Sequence, residues 1–163
     1  MSSQEVRYPE YEDFLILLFS ILKEQLDFDP IDPLPDYRKE DPEQLHKILT
    51  LVRINDYYPS VLDKASYLFA SIVQGHIYSN GNKRLALVTM LYFLNVNDHE
   101  LSDVKEGELK ELAIHVADSQ GNNGMSFDDR KSFVLSFLQR HTAAIRDSRG
   151  INLWNLVNRR RKD

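Results

Sequence analysis

The chain has 163 residues, 42% of them hydrophobic and 28% charged, with a net charge of −5; that is enough for one domain with its own core and outside the composition of a disordered chain. It has no cysteine, which excludes disulfides, thiolate metal sites, thiol nucleophiles and iron–sulfur clusters. Arg159, Arg160, Arg161 and Lys162 stand together before Asp163, which leaves −8 on residues 1–158 and argues against a general nucleic-acid binder, whose footprint is a basic face.

Residues Met1–Glu10 are polar and of mixed charge, without the basic and then apolar order of a leader. The most apolar run, Phe14–Leu22, is nine residues long and interrupted by Ser20, whereas a membrane span needs about 20. A cytoplasmic protein without membrane contact is expected.

Helical periodicity begins at Tyr11–Leu26, where Phe14, Leu15, Leu18, Phe19 and Leu22 give a wide apolar face. Asp27–Pro42 contains Pro30, Pro33, Pro35 and Pro42 among many acids, so it reads as a loop or a short extended flap. A second helix is predicted over Glu43–Ile54, with Leu45, Ile48, Leu49 and Val52 on one face. After a turn at Asn55–Ser60, Ser60 is suited to cap a third helix over Val61–Gln74, whose Leu62, Ala65, Leu68, Phe69, Ile72 and Val73 read as core. Gly75 occupies the place of a left-handed helix cap. Asn82–Asn95 is apolar on every side from Leu85 to Leu94, the pattern of a buried central helix. Asn95–His99 turns, and Glu106–Asp118 and Phe127–His141 read as amphipathic helices joined by the Gly- and Asn-rich Ser119–Met125. Ile151–Arg161 reads as a short terminal helix that docks through Leu153, Trp154, Leu156 and Val157. No period-2 strand exceeds a few residues, there is no internal repeat, and the class is all-α, a compact helical bundle in one domain spanning 1–163.

The chemistry concentrates between the two most apolar helices, in His76-Ile77-Tyr78-Ser79-Asn80-Gly81-Asn82-Lys83-Arg84. Asn80, Gly81 and Asn82 favour backbone angles that aim successive N–H groups one way, and they lead into a helix N-terminus, where free N–H groups and the dipole bind phosphate. Lys83 and Arg84 stand at that same positive end, where a cation is unfavourable by about 0.3–1 kcal/mol unless an anion is bound. His76 is the one side chain of the segment that exchanges a proton near neutral pH. A base beside a phosphate nest suits transfer of a phosphoryl or nucleotidyl group to a hydroxyl. Taken alone, Asn-Gly-Asn is also the composition of an ordinary tight turn with a helix cap.

The whole nonapeptide resembles the signature of the Fic/Doc family, roughly H-x-F-x-[D/E]-[G/A]-N-[G/K]-R, with His76, Tyr78 as the aromatic, Asn80 at the acidic position, then Gly81, Asn82, Lys83 and Arg84. The flanks Ala70–Gly75 and Arg84–Leu94 agree, and the resemblance is strongest over 61–100. It implies an all-α bundle with a flap near the active site, for which Asp27–Pro42 stands as candidate beside its reading as a solvated acidic connector. Fic-type members carry glycine at the position of Lys83 and a second arginine at that of Leu87, and transfer AMP from ATP to target hydroxyls. Doc-type members, the death-on-curing toxins, carry Asn-Lys-Arg without the second arginine and phosphorylate a translation elongation factor. This chain is similar to the Doc branch.

The resemblance then implies His76 as general base, Gly81 and Asn82 as anion nest, Lys83 and Arg84 as neutralisers of phosphate charge, and Tyr78 as the residue packed beneath the loop. The implied co-substrate is ATP or another nucleotide, the implied partners are a protein target such as a translation factor and a small antitoxin, and Mg²⁺ is expected. Asn80 departs from the pattern: a neutral carboxamide oxygen is a far weaker Mg²⁺ ligand than a carboxylate. Either the metal is held by the nucleotide and another acid, or the enzyme is slow or uses another donor, or the site binds without turnover. AMP transfer and an inactive nucleotide- or phosphate-binding adaptor are therefore the alternatives to a Doc-like kinase.

Three further features have competing readings. Ser102–Gly107 fits the loose pattern [S/T]-x-x-x-E-[G/N], used by Fic proteins for self-inhibition, and also reads as a plain helix start. The basic tail from residue 158 reads as a solvated flexible end or as a contact for RNA or an acidic partner. His46, His99, His115 and His141 lack metal-ligand spacing with one another and read as surface or packing residues.

Overall fold

In a computed structural model, the residues described are 5–10, 12, 42–75, 77, 82–105, 107–117 and 125–144. The predicted helix at Tyr11–Leu26 apart from Glu12, that at Ile151–Arg161, the flap apart from Pro42, and the 118–124 loop lie outside them.

The first helix, α1 (Pro42–Leu51), begins on a proline assigned above to the loop. A proline is well placed in a first turn, because its missing N–H would find no partner there and its φ is already helical. Leu45, Ile48, Leu49 and Val52 are buried as the periodicity requires. The helix stops short of Ile54: Arg53 N donates to Thr50 O and Ile54 N to Leu51 O, the three-residue bonds of a tightening final turn.

Ser60 caps α2 (Val61–Gly75). Its hydroxyl accepts from Asp63 N at 3.0 Å and donates to Asp63 Oδ2 at 2.6 Å, while Ser60 N donates to the same carboxylate at 3.3 Å; two otherwise orphaned N–H groups are thereby satisfied. Ala65, Leu68, Phe69 and Ile72 are fully buried, each large apolar side chain contributing about 1.5–3 kcal/mol. This helix packs against α1, α3 (Asn82–Val96), α4 (Glu108–Ala117) and α5 (Phe127–His141), so it is the axis of the bundle. Along α3, Leu85, Ala86, Leu87, Met90, Tyr92 and Phe93 are all fully enclosed, as expected of a helix apolar on every side.

Beyond α3 the chain turns through Asp98, at φ 63°, and forms β1 (His99–Leu101), which pairs antiparallel with β2 (Thr142–Ala144) in the register His99↔Ala144. The described residues of Ser102–Gly107 are not helical. Asp103 and Gly107 take positive φ, of 56° and 86°, and Lys105 N donates to Glu108 Oε2 at 2.9 Å, so the described residues there lead into α4, which starts at Glu108. Ser126 caps α5 in a reciprocal box with Asp129, by bonds of 3.1 and 3.2 Å.

Residues 5–10 are fastened to the far end of α3. Arg7 N donates to Asn97 Oδ1, and Asn97 Nδ2 donates back to Arg7 O. Tyr8 lies against Phe93, with the Arg53 guanidinium 4.6 Å from its ring centre. Lys64 is buried in α2, where its ammonium donates to Val52 O at 3.0 Å and Asn55 Oδ1 at 2.8 Å. Those bonds hold the end of α1 against α2, although burial lowers the Lys64 pKa.

Tyr58 stacks on Tyr67, with ring centres 4.1 Å apart. Desolvation, followed by the neighbouring Tyr67, Asp128 and Tyr57, pushes the Tyr58 hydroxyl up to about 12. Unfolded tyrosine gives up its proton near 10, so between pH 10 and 12 the unfolded chain holds fewer protons and stability falls as pH rises. Tyr67 acts in the same direction, whereas Lys64, with its lowered pKa, favours the fold as pH climbs toward 10.5. The denaturation midpoint of the wild type is expected to drop between pH 10 and 12, and Tyr58→Phe to flatten that drop. An equal slope in both proteins rejects this role for Tyr58.

Candidate functional site

α2 ends at Gly75 and α3 starts at Asn82, so six residues join the two most enclosed helices of the bundle. A connection that short, between helices packed along their lengths, fixes both ends of the loop. Ile77 is fully buried and pegs the loop into the core. His76, Tyr78, Asn80 and Gly81 lie outside the described residues, so the anchor seen is Ile77, the variable position of the motif.

Asn82, Lys83 and Arg84 form the first turn of α3. Asn82 and Lys83 are half-buried, and Arg84 is only 8% exposed. The first turns of α1, α2, α4 and α5 each carry an acid: Glu43, Asp63, Glu108 with Glu111, and Asp128 with Asp129. α3 has none and carries two cations instead, so dipole and side chains there add to one positive field. Leu87, where the resemblance places a second arginine in Fic-type members, is fully buried among the apolar residues of α3 and offers no cation to the loop.

Gly75 does not take the left-handed cap geometry expected of it. It is the last residue of α2 and is absent from the positive-φ positions. A Cβ there would meet Gln44 Nε2 and Ile48 Cδ1 at 3.5 Å, ordinary contact distance. A cavity of about 290 Å³ opens beside it, walled by Ile48, Leu51, Tyr67 and Phe127 and rimmed by Gln44 and Lys47. Gln74 and Gly75, the last residues of α2, also line it.

Sequence reasoning missed Arg130. This α5 residue is 5% exposed; its guanidinium donates to Val116 O and, from Nε at 3.3 Å, to Met125 O. With its carboxamide oxygen facing the guanidinium, Gln74 accepts from Arg130 Nε at 2.9 Å and Nη1 at 2.8 Å. The end of α4, the entry to α5 and the last turn of α2 thus meet on one side chain, two residues before His76. Gln74 and Arg130 are 56 positions apart, and no local pattern announces the pair.

The other histidines do not converge on this site. His46 is exposed. His99 Nδ1 meets Asn97 O at 2.7 Å, while His115 packs on Phe133 and His141 on Phe137. Among the described residues no group of three or more histidine or acidic side chains is placed to hold a metal ion. No described helix is long and apolar enough to cross a membrane.

The helix pair frames a polar segment in the sequence, and the start of α3 is doubly cationic, which suits an anionic, phosphate-bearing ligand. No curated protein matches the chain. Residues 18–94, just under half of its length and including the loop with both flanking helices, match the model of the Fic/DOC family.

Proposed function

We propose that this chain is a protein-modifying transferase of the Fic/Doc family, Doc-like in its chemistry, that moves the γ-phosphoryl group of ATP to a hydroxyl of a protein target. The observation that carries this reading is the start of α3, where Lys83 and Arg84 replace the acids found at every other described helix start, inside the matched segment. In the proposed step His76 takes the proton of the target hydroxyl as its oxygen bonds to the γ-phosphorus. The bond from that phosphorus to the bridging oxygen breaks, and ADP leaves. Gly81 and Asn82 cradle phosphate oxygens, and Lys83 and Arg84 balance the charge that develops on them.

The motif supplies no carboxylate of its own, because Asn80 stands at the acidic position. Its donor set fits phosphate and is poor for a protein-held Mg²⁺; bound to the nucleotide's phosphates, Mg²⁺ would supply charge neutralisation. A toxin role with a small antitoxin and a translation factor as target completes the Doc-like reading. The buried Leu87 favours this branch over AMP transfer, whereas Asn80 favours the second reading, a nucleotide-binding adaptor without turnover.

The deciding experiment incubates the protein with cell lysate, Mg²⁺ and ATP labelled at the α or the γ phosphate. Label on protein from γ alone supports the kinase. Label from α means AMP transfer. The absence of label from either, with nucleotide still bound, means the adaptor. Asn80→Asp is expected to raise both the rate and its Mg²⁺ dependence. An unchanged rate rejects Asn80 as the weak point of the site.

A further inference from the structure

A second groove lies away from the loop, between α4 and α5. It encloses about 340 Å³ and is lined by Glu108, Glu111 and His115 on one side and by Phe133, Phe137 and Arg140 on the other. Phe133 is 38% exposed, and so is Ile114, at 47%, one helical turn on from Glu111. They are two of the three large hydrophobic residues exposed among those described; the third is Tyr57. Apolar surface rimmed by charge in this way marks a contact face.

We propose that this groove is the seat of the chain's own segment Ile151–Lys162, folded back in cis. Three observations favour this occupant. The first is position: the groove reaches the end of α5, and β2 leaves that end at Ala144. The six residues 145–150 span up to about 20 Å, enough to set Ile151 anywhere along the groove. The second is length: as a helix, twelve residues run about 18 Å, close to the length of the two helices that form the walls. The third is chemistry. Leu153, Trp154 and Val157 share one helical face, as a helix laid in an apolar groove requires. Arg159, Arg160, Arg161 and Lys162 follow it, opposite in charge to Glu108 and Glu111. Seating the segment covers Phe133 and brings the basic run to the acids of α4.

Trp154 is the only tryptophan of the chain, so tryptophan fluorescence reports the surroundings of this segment. In the full chain its emission is expected well to the blue of the denatured protein and protected from acrylamide, at every protein concentration. Phe133→Asp and Glu111→Lys alter partly or fully exposed side chains, and each is expected to shift the emission to the red and restore quenching. Adding Arg160→Glu to Glu111→Lys is expected to bring the blue emission back, a rescue that a general loss of structure would not show. Far-ultraviolet circular dichroism on the same samples checks the fold. Emission at the denatured position, or emission that neither variant moves, overturns the proposal. A blue shift that disappears on dilution, with dimers in light scattering, also overturns it, because the segment then sits on a second copy.

Discussion

Replacing His76 with alanine is expected to lower label transfer to protein by about 100- to 10,000-fold, the range of a lost general base, with nucleotide affinity little changed. His76 stands between two residues that the fold places. It directly follows Gly75, the last residue of α2, and directly precedes Ile77, which is fully buried. His76 is the one side chain of the segment that exchanges a proton near neutral pH, so its loss is not made up by a neighbour in the motif. Arg84→Ala makes the contrast. Arg84 lies in the first turn of α3 and is almost wholly enclosed, so its loss should weaken nucleotide binding and transfer together and lower the unfolding midpoint. Equilibrium binding of a fluorescent ATP analogue, measured beside the transfer rate, separates the two. If His76→Ala retains the wild-type rate, or loses nucleotide and rate in equal measure, the general-base assignment fails.

What could be read directly from the residues follows from the range over which each interaction acts. Val61–Gln74 and Asn82–Asn95 emerge to within one residue of the helices observed, and Phe127–His141 coincides with its helix. Their apolar spacing and, for the first, the Ser60 cap are encoded within a few positions. The errors arise where the chain departs from one period. α1 gives way to three-residue bonds at Arg53 and Ile54, while Val52 and Ile54 continue the apolar pattern of the preceding turns. The strands β1 and β2 have three residues each and pair across 41 or more positions, too short for an alternation to show and too distant for a hairpin signal. The motif was legible because its nine residues are contiguous. Its supports were not: Ile77 is buried at a position where the pattern asks for nothing, and Arg130 reaches Gln74 from another helix.

That last contact carries the second large effect. Arg130→Met is expected to lower stability by about 2–5 kcal/mol, seen as a lower urea midpoint at an unchanged slope. Methionine replaces most of the apolar stem of the arginine, so the loss lies in the polar end. The Val116 and Met125 carbonyls and the Gln74 carboxamide all receive hydrogen bonds from the guanidinium, and a buried acceptor stripped of its donor costs about 1–3 kcal/mol. Gln74→Ala tests the other half of the contact. It leaves Arg130 with the two carbonyls and removes only the tie to the last turn of α2, so a stability loss of about 1 kcal/mol is expected. The same change frees the turn that delivers His76, and small misplacements of a reacting group weigh heavily on rate. Transfer should therefore fall at saturating ATP, by about tenfold or more, with the KM for ATP nearly constant. If Gln74→Ala instead lowers stability as much as Arg130→Met and leaves the transfer rate intact, the pair holds the bundle together without positioning the loop. If the rate falls while the fold holds, α5 acts on the chemistry from 54 residues further along the chain than His76, through one guanidinium and one amide.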